Sequence, residues 1–241
     1  MKTISIFALL MLAAVFAYGQ KQKIDEVKVT PPKFTGVANA FSTSKDGHFE
    51  SINDYLAKNI QYPEEDVKSF KQGTEVVQFI VSPTGELTDF TIVNGVSQQI
   101  NEEVIRVLQT TNGMWFPGYN NGNPVAMEKE VSVVFKIEGF RFSTDFKTLA
   151  TNYFSKGSEL FLEKQNPKKA LKYYDKGIVL LPNDKGLLLM RGFARYETGN
   201  KEGATRDWQR ITTLGHSFNS EYLGNLAGLN GFEEFANVLS K

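Results

Sequence analysis

The sequence predicts two folded parts in series, a small α+β part followed by an all-helical part, and three observations predict them. Between positions 76 and 137 the apolar residues fall at strand spacing in three segments, and helical spacing occurs before and between them. Beyond Phe142 the strand composition disappears and only helical spacing remains. That last segment also matches itself at an offset of 34 residues, a period typical of stacked helical hairpins.

Composition excludes several classes of partner and of stabilisation. The chain has 241 residues, with 27 Lys plus Arg balanced by 27 Asp plus Glu. Because the net charge is zero, no overall field attracts nucleic acid or anionic lipid. The chain has no cysteine, which rules out disulfides and a lipid attached to cysteine, so stability depends on core packing.

The N-terminus has the pattern of an export signal. Lys2 precedes an apolar run from Ile4 to Phe16, and Ala17-Tyr18-Gly19 provides small residues near a signal-peptidase cut. We therefore expect residues 1–19 to be a signal peptide cleaved after Gly19. The alternative is an uncleaved membrane anchor, although about 15 apolar residues are fewer than the roughly 20 that span a bilayer.

The segment 20–47 is polar and contains Pro31-Pro32, which predicts an extended lead-in with a short strand at 27–29. A helix is expected next, because apolar residues recur at spacings of three and four, and it should end at Tyr62-Pro63 since proline cannot continue it. The apolar positions of this helix are Phe49, Ile52, Leu56 and Ile60.

The remainder of the α+β part predicts a hairpin, a helix and a strand. Val76–Val81 and Leu87–Val93 have strand composition and flank a Ser-Pro-Thr-Gly turn. A second helix is expected after Asn101, which we interpret as its cap. A third strand with one buried face, at the edge of the sheet, is indicated by the alternating residues Val131, Val133, Phe135 and Ile137. The result is a three-stranded antiparallel sheet with two helices on one side.

The helical part, residues 144–241, repeats small and large residues in register. The matched pairs are Ala170 with Ala204, Tyr174 with Trp208, and Leu180 with Leu214. A small residue lets the helices of a hairpin approach closely, and the aromatic four positions later fills the gap to the next hairpin. A final helix that caps the stack is predicted from Phe232, Phe235, Val238 and Leu239.

This helical part resembles the tetratricopeptide repeat family. The residues that carry the resemblance are Phe154, Ser158, Phe161, Ala170, Tyr174, Gly177 and Pro182 in the first repeat, and Leu188, Gly192, Ala204 and Trp208 in the second. Arg195 and His216 depart from the pattern, where an aromatic and a proline are usual. Polar positions of the first helices would face a bound peptide if that face is concave: Asn152, Lys156, Glu159, Arg191 and Arg195.

Residues 48–140 resemble the C-terminal domain of TonB-type energy transducers. The residues that match are Tyr55-Leu56, Ile60, Tyr62-Pro63, Gly73-Thr74 before the strand Val76–Val81, Gly85, Asn94-Gly95-Val96, Trp115, Pro117-Gly118, Asn121-Gly122 and Pro124-Val125. The resemblance implies a Gram-negative periplasmic domain that binds an extended segment of an outer-membrane transporter. That segment would add as a strand beside Val131, Val133, Phe135 and Ile137 and pass near Tyr62-Pro63. Alternatively, Tyr62-Pro63 only ends a helix and packs on the sheet.

The lead-in departs from the transducer pattern. Energy transducers in this family reach across the periplasm on a long proline-rich stretch, whereas Gln20 to His48 is about 30 residues and spans at most about 100 Å. The chain also has few groups for catalysis, since His48 and His216 lie in different parts of the sequence. We interpret the runs Glu64-Glu65-Asp66 and Glu102-Glu103 as solvated charge at helix ends.

The sequence therefore predicts an interaction protein without enzymatic activity or cofactor, which is exported to the periplasm. Its expected partners are proteins or peptide segments, and these could include outer-membrane transporters; nucleic acid and small-molecule substrates are not expected. One part would bind an extended peptide and the helical repeats a second partner. The alternative is an inner-membrane-anchored transducer that serves outer-membrane receptors. A homodimer formed by strand exchange stays open.

Overall fold

The computed structural model describes residues 27–36, 51–137 and 145–240. The strands are β1 (Val29–Thr30), β2 (Lys33–Phe34), β3 (Gly73–Val81), β4 (Leu87–Asn94), β5 (Trp115–Phe116), β6 (Gly118–Asn120), β7 (Asn123–Val125) and β8 (Met127–Phe135). The helices are α1 (Ile52–Asn59), α2 (Glu64–Lys68), α3 (Gln98–Gln109), α4 (Phe146–Ser158), α5 (Pro167–Leu180), α6 (Lys185–Glu197), α7 (Lys201–Thr213), α8 (Ser220–Leu226) and α9 (Phe232–Leu239). A π-helical turn, Glu159–Glu163, follows α4 directly.

The α+β part contains the expected antiparallel sheet, with strand order β4-β3-β8. Val77, Phe79 and Val81 of β3 are buried on one face and pack in a single core with α1 and α3. The predicted sheet with two helices on one side is therefore present. A third short helix, α2, begins at Glu64, directly after Pro63, where proline costs no helical hydrogen bond because its missing N–H is not needed there.

The lead-in contributes to the core, which differs from the expectation of a linker. The expected strand at 27–29 is found at Val29–Thr30, which pairs with β6, and β2 pairs with β5. Phe34 is buried, with ring centroids 5.3 Å from Trp115 and 5.6 Å from Tyr55. Phe34 therefore packs against the aromatic rings of Trp115 and Tyr55 and shields them from water. The predicted signal peptide, residues 1–19, lies outside the described residues.

Helix α3 begins earlier than predicted, and its cap is Ser97, not Asn101. The Ser97 side chain accepts a hydrogen bond from the Ile100 N–H at 3.1 Å and donates to Asp66 at 2.6 Å. The apolar residues of α3 begin only at Ile100, so the apolar spacing of the sequence does not show that the helix has a polar first turn. Asn101 lies within that turn, beside Glu75.

The helical part consists of two hairpins, α4 with α5 and α6 with α7, and α5 also packs against α6. Ala170, Ala204, Tyr174 and Trp208 are all fully buried, as the 34-residue register requires. The two aromatic rings meet glycines on the preceding helices. A Cβ on Gly157 would lie 2.6 Å from the Tyr174 ring, and one on Gly192 would lie 2.2 Å from Trp208 Nε1.

These two glycines are 35 positions apart, one more than the repeat period, and the π turn accounts for the difference. A π-helical turn accommodates an extra residue, so the register returns to 34 by Ala170. Gly157, rather than the neighbouring Ser158 that the sequence pattern indicated, is the close-contact position of the first hairpin. Local backbone geometry therefore shifts the motif by one residue.

The C-terminal segment covers the exposed end of the second hairpin. Phe235 of α9 is fully buried, and its ring lies 5.5 Å from Phe193, 5.6 Å from Trp208 and 5.6 Å from Phe218. Without this helix the aromatic face of α6 and α7 would contact water. The helix lies where the sequence placed a capping helix.

Substitution of Gly192 by alanine should lower the free energy of unfolding by about 1–3 kcal/mol, because the new methyl group overlaps the buried Trp208 ring. The matched control is Gly224→Ala, where a Cβ meets nothing within 4 Å in α8 and helix propensity should raise stability by about 0.5–1 kcal/mol. Urea unfolding followed by circular dichroism measures both. Equal stability of the two variants would contradict the close glycine contact.

Candidate functional site

Strand β8 presents a long and regular open edge. It pairs with β3 through all nine residues, from Gly73 with Phe135 to Val81 with Met127, without a register shift. Among the described strands, β3 is its one neighbour in the sheet. A regular edge offers backbone N–H and C=O groups to an added strand. The predicted edge position of the last strand is therefore found in the structure.

The opposite edge of the same sheet is less regular. Pairing of β4 with β3 shifts register twice, between Val76 and Val77 and between Gln78 and Ile80. Asp89 of β4 has φ of 53°, in the left-handed region that non-glycine residues seldom adopt. Bulges of this kind break the hydrogen-bonding pattern that a long added strand needs. Of the two described edge strands of this sheet, β8 offers the uninterrupted ladder.

A groove of about 420 Å³ runs between β8 and α1. Leu56, Ala57 and Ile60 line its helix side, and residues 132–136 line its strand side. Tyr62 and Asn53 also line it. A strand added beside β8 would therefore place alternate side chains against a helix face of mixed polar and apolar character.

Tyr62 and Pro63 have the structural role that the sequence left open, since they pack on the sheet and separate two helices; contact with a bound segment stays a prediction. The Tyr62 ring lies edge-on to Phe135, with centroids 5.2 Å apart, and its hydroxyl donates to the Lys71 carbonyl. Burial, together with the charge of Asp66, raises the pKa of Tyr62 to about 12, so the phenol stays neutral. Pro63 separates α1 from α2, and its carbonyl accepts from the Asp66 and Val67 N–H groups.

The backbone of β8 forms the open edge, whereas most of the side chains predicted to bind there point into the core. Val131 and Phe135 are buried in the core, and Val133 is half-buried on the same face. Ile137 lies beyond the end of β8, and its N–H donates to the Gln72 side chain at 2.8 Å, so this N–H is already satisfied. The sequence missed Val134, which is 62% exposed and lines the groove. Val134 is apolar like its neighbours in β8, so the sequence pattern did not mark it as an exposed residue.

The residues predicted to line a groove of the helical part fall into two separate sets. Asn152 and Lys156 are exposed on α4, and Glu159 forms ion pairs with Lys156 and Lys164. Hydrogen bonds from Lys156 and Lys164 lower the pKa of Glu159 to about 2. Arg191 and Arg195 lie on α6 and both donate to Asp207 of α7. Arg191 and Arg195 line a cleft whose lining includes no residue of α4.

The acidic runs are only partly solvated. Glu64 and Glu65 are exposed and pair with Lys68, whereas Asp66 is buried and accepts from Ser97. Glu103 accepts from Arg106 and from the Gln61 N–H. Within residues 27–36, 51–137 and 145–240, no group of three His, Cys, Asp or Glu side chains is placed to hold a metal ion.

Glu75 is a buried carboxylate at the centre of the sheet. It has no exposed surface, and it accepts from the Val96 N–H at 2.8 Å. With its amide nitrogen turned toward the carboxylate, Asn101 donates to both oxygens at 3.0 and 3.1 Å. Burial raises the pKa of Glu75 to about 7, which the bond from Val96 partly opposes. This carboxylate ties β3 to the start of α3.

The helical part contacts the outer face of the sheet and β8 itself. The Thr74 hydroxyl donates to the Leu180 carbonyl at 2.8 Å. Arg210 of α7 forms two parallel hydrogen bonds to the Glu130 carboxylate, at 2.6 and 2.7 Å, and donates twice more to the Asn183 side-chain oxygen. Both charged side chains are largely shielded, with 13% and 26% of their surface exposed. β8 is thus held from its outer face by the helical part.

The part of the chain that contains this site matches a known protein family. Residues 58–137 match the family described as Gram-negative bacterial TonB protein C-terminal. The matched range is about a third of the chain and contains Tyr62, Pro63 and all of β8, whereas α4 to α9 lie outside it. The site thus lies in the region that is similar to TonB C-terminal domains.

A structural match is the solution NMR structure of the Helicobacter pylori TonB C-terminal domain, residues 194–285. It has a TM-score of 0.29 and 15% identity, and covers 37% of this chain and 92% of that one. No curated protein matches the sequence significantly. In the described ranges, no helix has the length and apolar composition that a membrane crossing requires.

The raised pKa of Glu75 should make stability fall as pH rises. Between about pH 4.5 and 7 the folded state keeps a proton that the unfolded state releases, so unfolding becomes easier across this window and then levels off. Glu75→Gln should match the wild type near pH 4.5 and exceed it at pH 8, by up to about 3 kcal/mol. Urea unfolding at several pH values, followed by the fluorescence of the buried Trp115, measures the free energy of unfolding of each variant.

The matched control is Glu163→Gln, which removes an exposed carboxylate. A constant difference between Glu75→Gln and wild type would be inconsistent with the assignment.

The pair of Arg210 and Glu130 should contribute a coupling free energy of about 1–2 kcal/mol in a double-mutant cycle of alanine variants, because it is bidentate and shielded. The control cycle uses Glu64 and Lys68, an exposed pair at 2.8 Å that should give about 0.3–0.5 kcal/mol. Thermal unfolding of the four variants in each cycle provides the values. If both cycles gave the same small coupling, the contact would not hold the two parts together.

Proposed function

We propose that this chain is a periplasmic protein-interaction protein that binds an extended peptide segment by strand addition to β8. The observation that carries the proposal is the uninterrupted nine-residue edge with a groove beside it. Backbone hydrogen bonds from the edge would supply affinity for any extended chain. The groove would select its side chains. The similarity of residues 58–137 to TonB C-terminal domains supports a role linked to outer-membrane transport.

The groove indicates which segments would bind. Ala57, Ile60 and Tyr62 line its helix side, so a segment that turns alternate side chains toward α1 and carries small or apolar residues at those positions would fit. The groove is open on one side and small, and interfaces of this size are typically weak and transient. Segments that fit this groove would include the outer-membrane transporter segments that the family resemblance implies.

We also propose that the helical part is a pair of tetratricopeptide repeats with a capping helix, over residues 144–241, and that it holds a second partner. The buried register of Ala170 with Ala204 and of Tyr174 with Trp208 supports this assignment. Exposed polar residues of α4, such as Asn152 and Lys156, would contact that partner on the face of the first helices.

The alternative function is that of an anchored energy transducer serving outer-membrane receptors, and the similarity to TonB supports it. The two differ in the fate of the leader. N-terminal sequencing of protein from cells discriminates between them, because a start at Gln20 leaves no anchor and an intact Met1 in the membrane fraction keeps one.

Photocrosslinking in cells tests strand addition directly. A photoreactive amino acid at Val134, on the open edge, should give adducts with an envelope protein, whereas the same probe at Leu162, which is 53% exposed on the π turn, should not give those adducts. Ala57→Trp fills the groove from an exposed helix position and should reduce the Val134 adducts at least tenfold. Tryptophan at the next residue, Lys58, is the matched control. Adducts that persist unchanged in Ala57→Trp would exclude the groove as the binding site.

A further inference from the structure

A pocket of about 460 Å³ lies in the helical part, between α4 and the start of α6. One wall is a stripe of α4 at spacings of three and four, formed by Lys147, Ala150, Thr151 and Phe154. The other wall is formed by residues 181 and 184–187, before and within the first turn of α6. The volume falls within the usual range of ligand sites. The pocket shares no lining residue with the groove beside β8.

Part of this pocket presents apolar surface. Ala150 and Leu187 are buried, with 1% of their surface exposed, whereas Phe154 and Leu181 are half-buried. Gly186 lies beside the Phe154 ring, where a Cβ would be 3.3 Å from the nearest ring atom. Because this residue is glycine, it contributes no side chain that would cover this edge of the ring. An apolar ligand group in the pocket would therefore contact Phe154 and Leu181.

Two lysines line the pocket, and among the described residues neither forms an ion pair with a carboxylate. Lys147 is exposed on α4, and Lys185 is half-buried at the start of α6. The Lys185 ammonium group donates to the Ser217 carbonyl at 3.2 Å and lies 4.7 Å from the centre of the Phe218 ring, so both of these partners are uncharged. Since an ammonium group has three N–H donors, Lys185 keeps donors for a ligand.

Asp184 is the one carboxylate among the described lining residues, and it already has a partner. Its side chain accepts from the Leu187 N–H at 2.8 Å and caps α6. The positive end of the helix dipole stabilises a carboxylate at this position. With two lysines and one capping aspartate, the lining carries an excess of positive charge. The pocket therefore favours an anionic group next to an apolar one.

The geometry of α4 indicates how far apart these two ligand groups should be. Lys147 and Phe154 are separated by seven positions, which is about 10 Å along a helix axis that rises about 1.5 Å per residue. Two or three residues of an extended chain cover about 7–10 Å. An apolar residue two or three positions from an acidic residue would therefore reach Phe154 and Lys147 at the same time.

We propose that this pocket binds an extended peptide segment that carries an apolar side chain two or three residues from a carboxylate. The apolar group packs against Phe154, and the carboxylate lies between Lys147 and Lys185. This proposal rests on the proposed binding of a second partner by the helical part, and it adds the chemistry that would select that partner. Asn152 and Lys156 do not line the pocket and lie outside these contacts.

Fluorescence anisotropy with the full chain tests the proposal. The probe is the amidated hexapeptide Ser-Leu-Ser-Glu-Glu-Ser, labelled at its N-terminus. At low salt it should bind about fivefold more tightly than a peptide with glutamine in place of both glutamates, because that peptide cannot pair with the lysines. It should bind at least tenfold more tightly than a peptide with serine in place of leucine, which loses the apolar contact. No binding of the probe, or equal binding of the three peptides, would overturn the proposal.

Variants at exposed positions locate the binding site. Lys147→Gln should weaken binding about threefold. The matched control is Lys168→Gln, because Lys168 is also exposed and is also the second residue of its helix, α5, but does not line the pocket. Thr151→Trp fills the pocket from α4 and should weaken binding at least tenfold, whereas Thr148→Trp, outside the lining, should leave affinity unchanged. Equal effects within either pair of variants would overturn the proposal.

A photoreactive amino acid at Asn152 separates this proposal from the binding of a second partner as such. Adducts from Asn152 in cells, together with no binding of the leucine–glutamate peptide, would overturn the pocket and leave second-partner binding intact. Peptide binding that Thr151→Trp removes, with no adducts from Asn152, would support the pocket and contradict the contact proposed at Asn152.

Discussion

The packing of α5 on the outer face of β3 determines how the two parts of the chain are arranged. Gly73 makes this possible, because a Cβ there would lie 2.7 Å from the Val179 side chain and carbonyl. Val76, one of the outward residues of β3, is fully buried although it lies outside the core shared with α1 and α3. Strand β3 is thus covered on both faces, by helices of different parts of the chain.

The sheet has β8 and β4 as edge strands on either side of β3. At β8 the Arg210 side chain reaches Glu130 on the outer face, and the edge opens onto α1 and the groove beside it. At β4 two register shifts and the left-handed backbone of Asp89 interrupt the ladder. The two edges therefore differ in how regular a backbone they offer to an added strand.

Sequence patterns predicted the elements well where the local signal is strong. The β3–β4 hairpin follows from β-branched residues around a Pro-Gly turn, and the buried register of Tyr174 and Trp208 follows from a 34-residue period. At the end of α7, His216 replaces the usual proline, so the sequence has no proline to stop this helix. Gly215, with φ of 72°, ends this helix instead.

Features that depend on distant contacts could not be predicted. The partner of Glu130 is Arg210, 80 positions away, and neither residue has a distinctive neighbourhood in the sequence. Arg191 and Arg195 read as exposed groove residues because helical spacing alone does not show that Asp207 will reach them from the next helix. The π turn that moves the close contact from Ser158 to Gly157 has no sequence signature either.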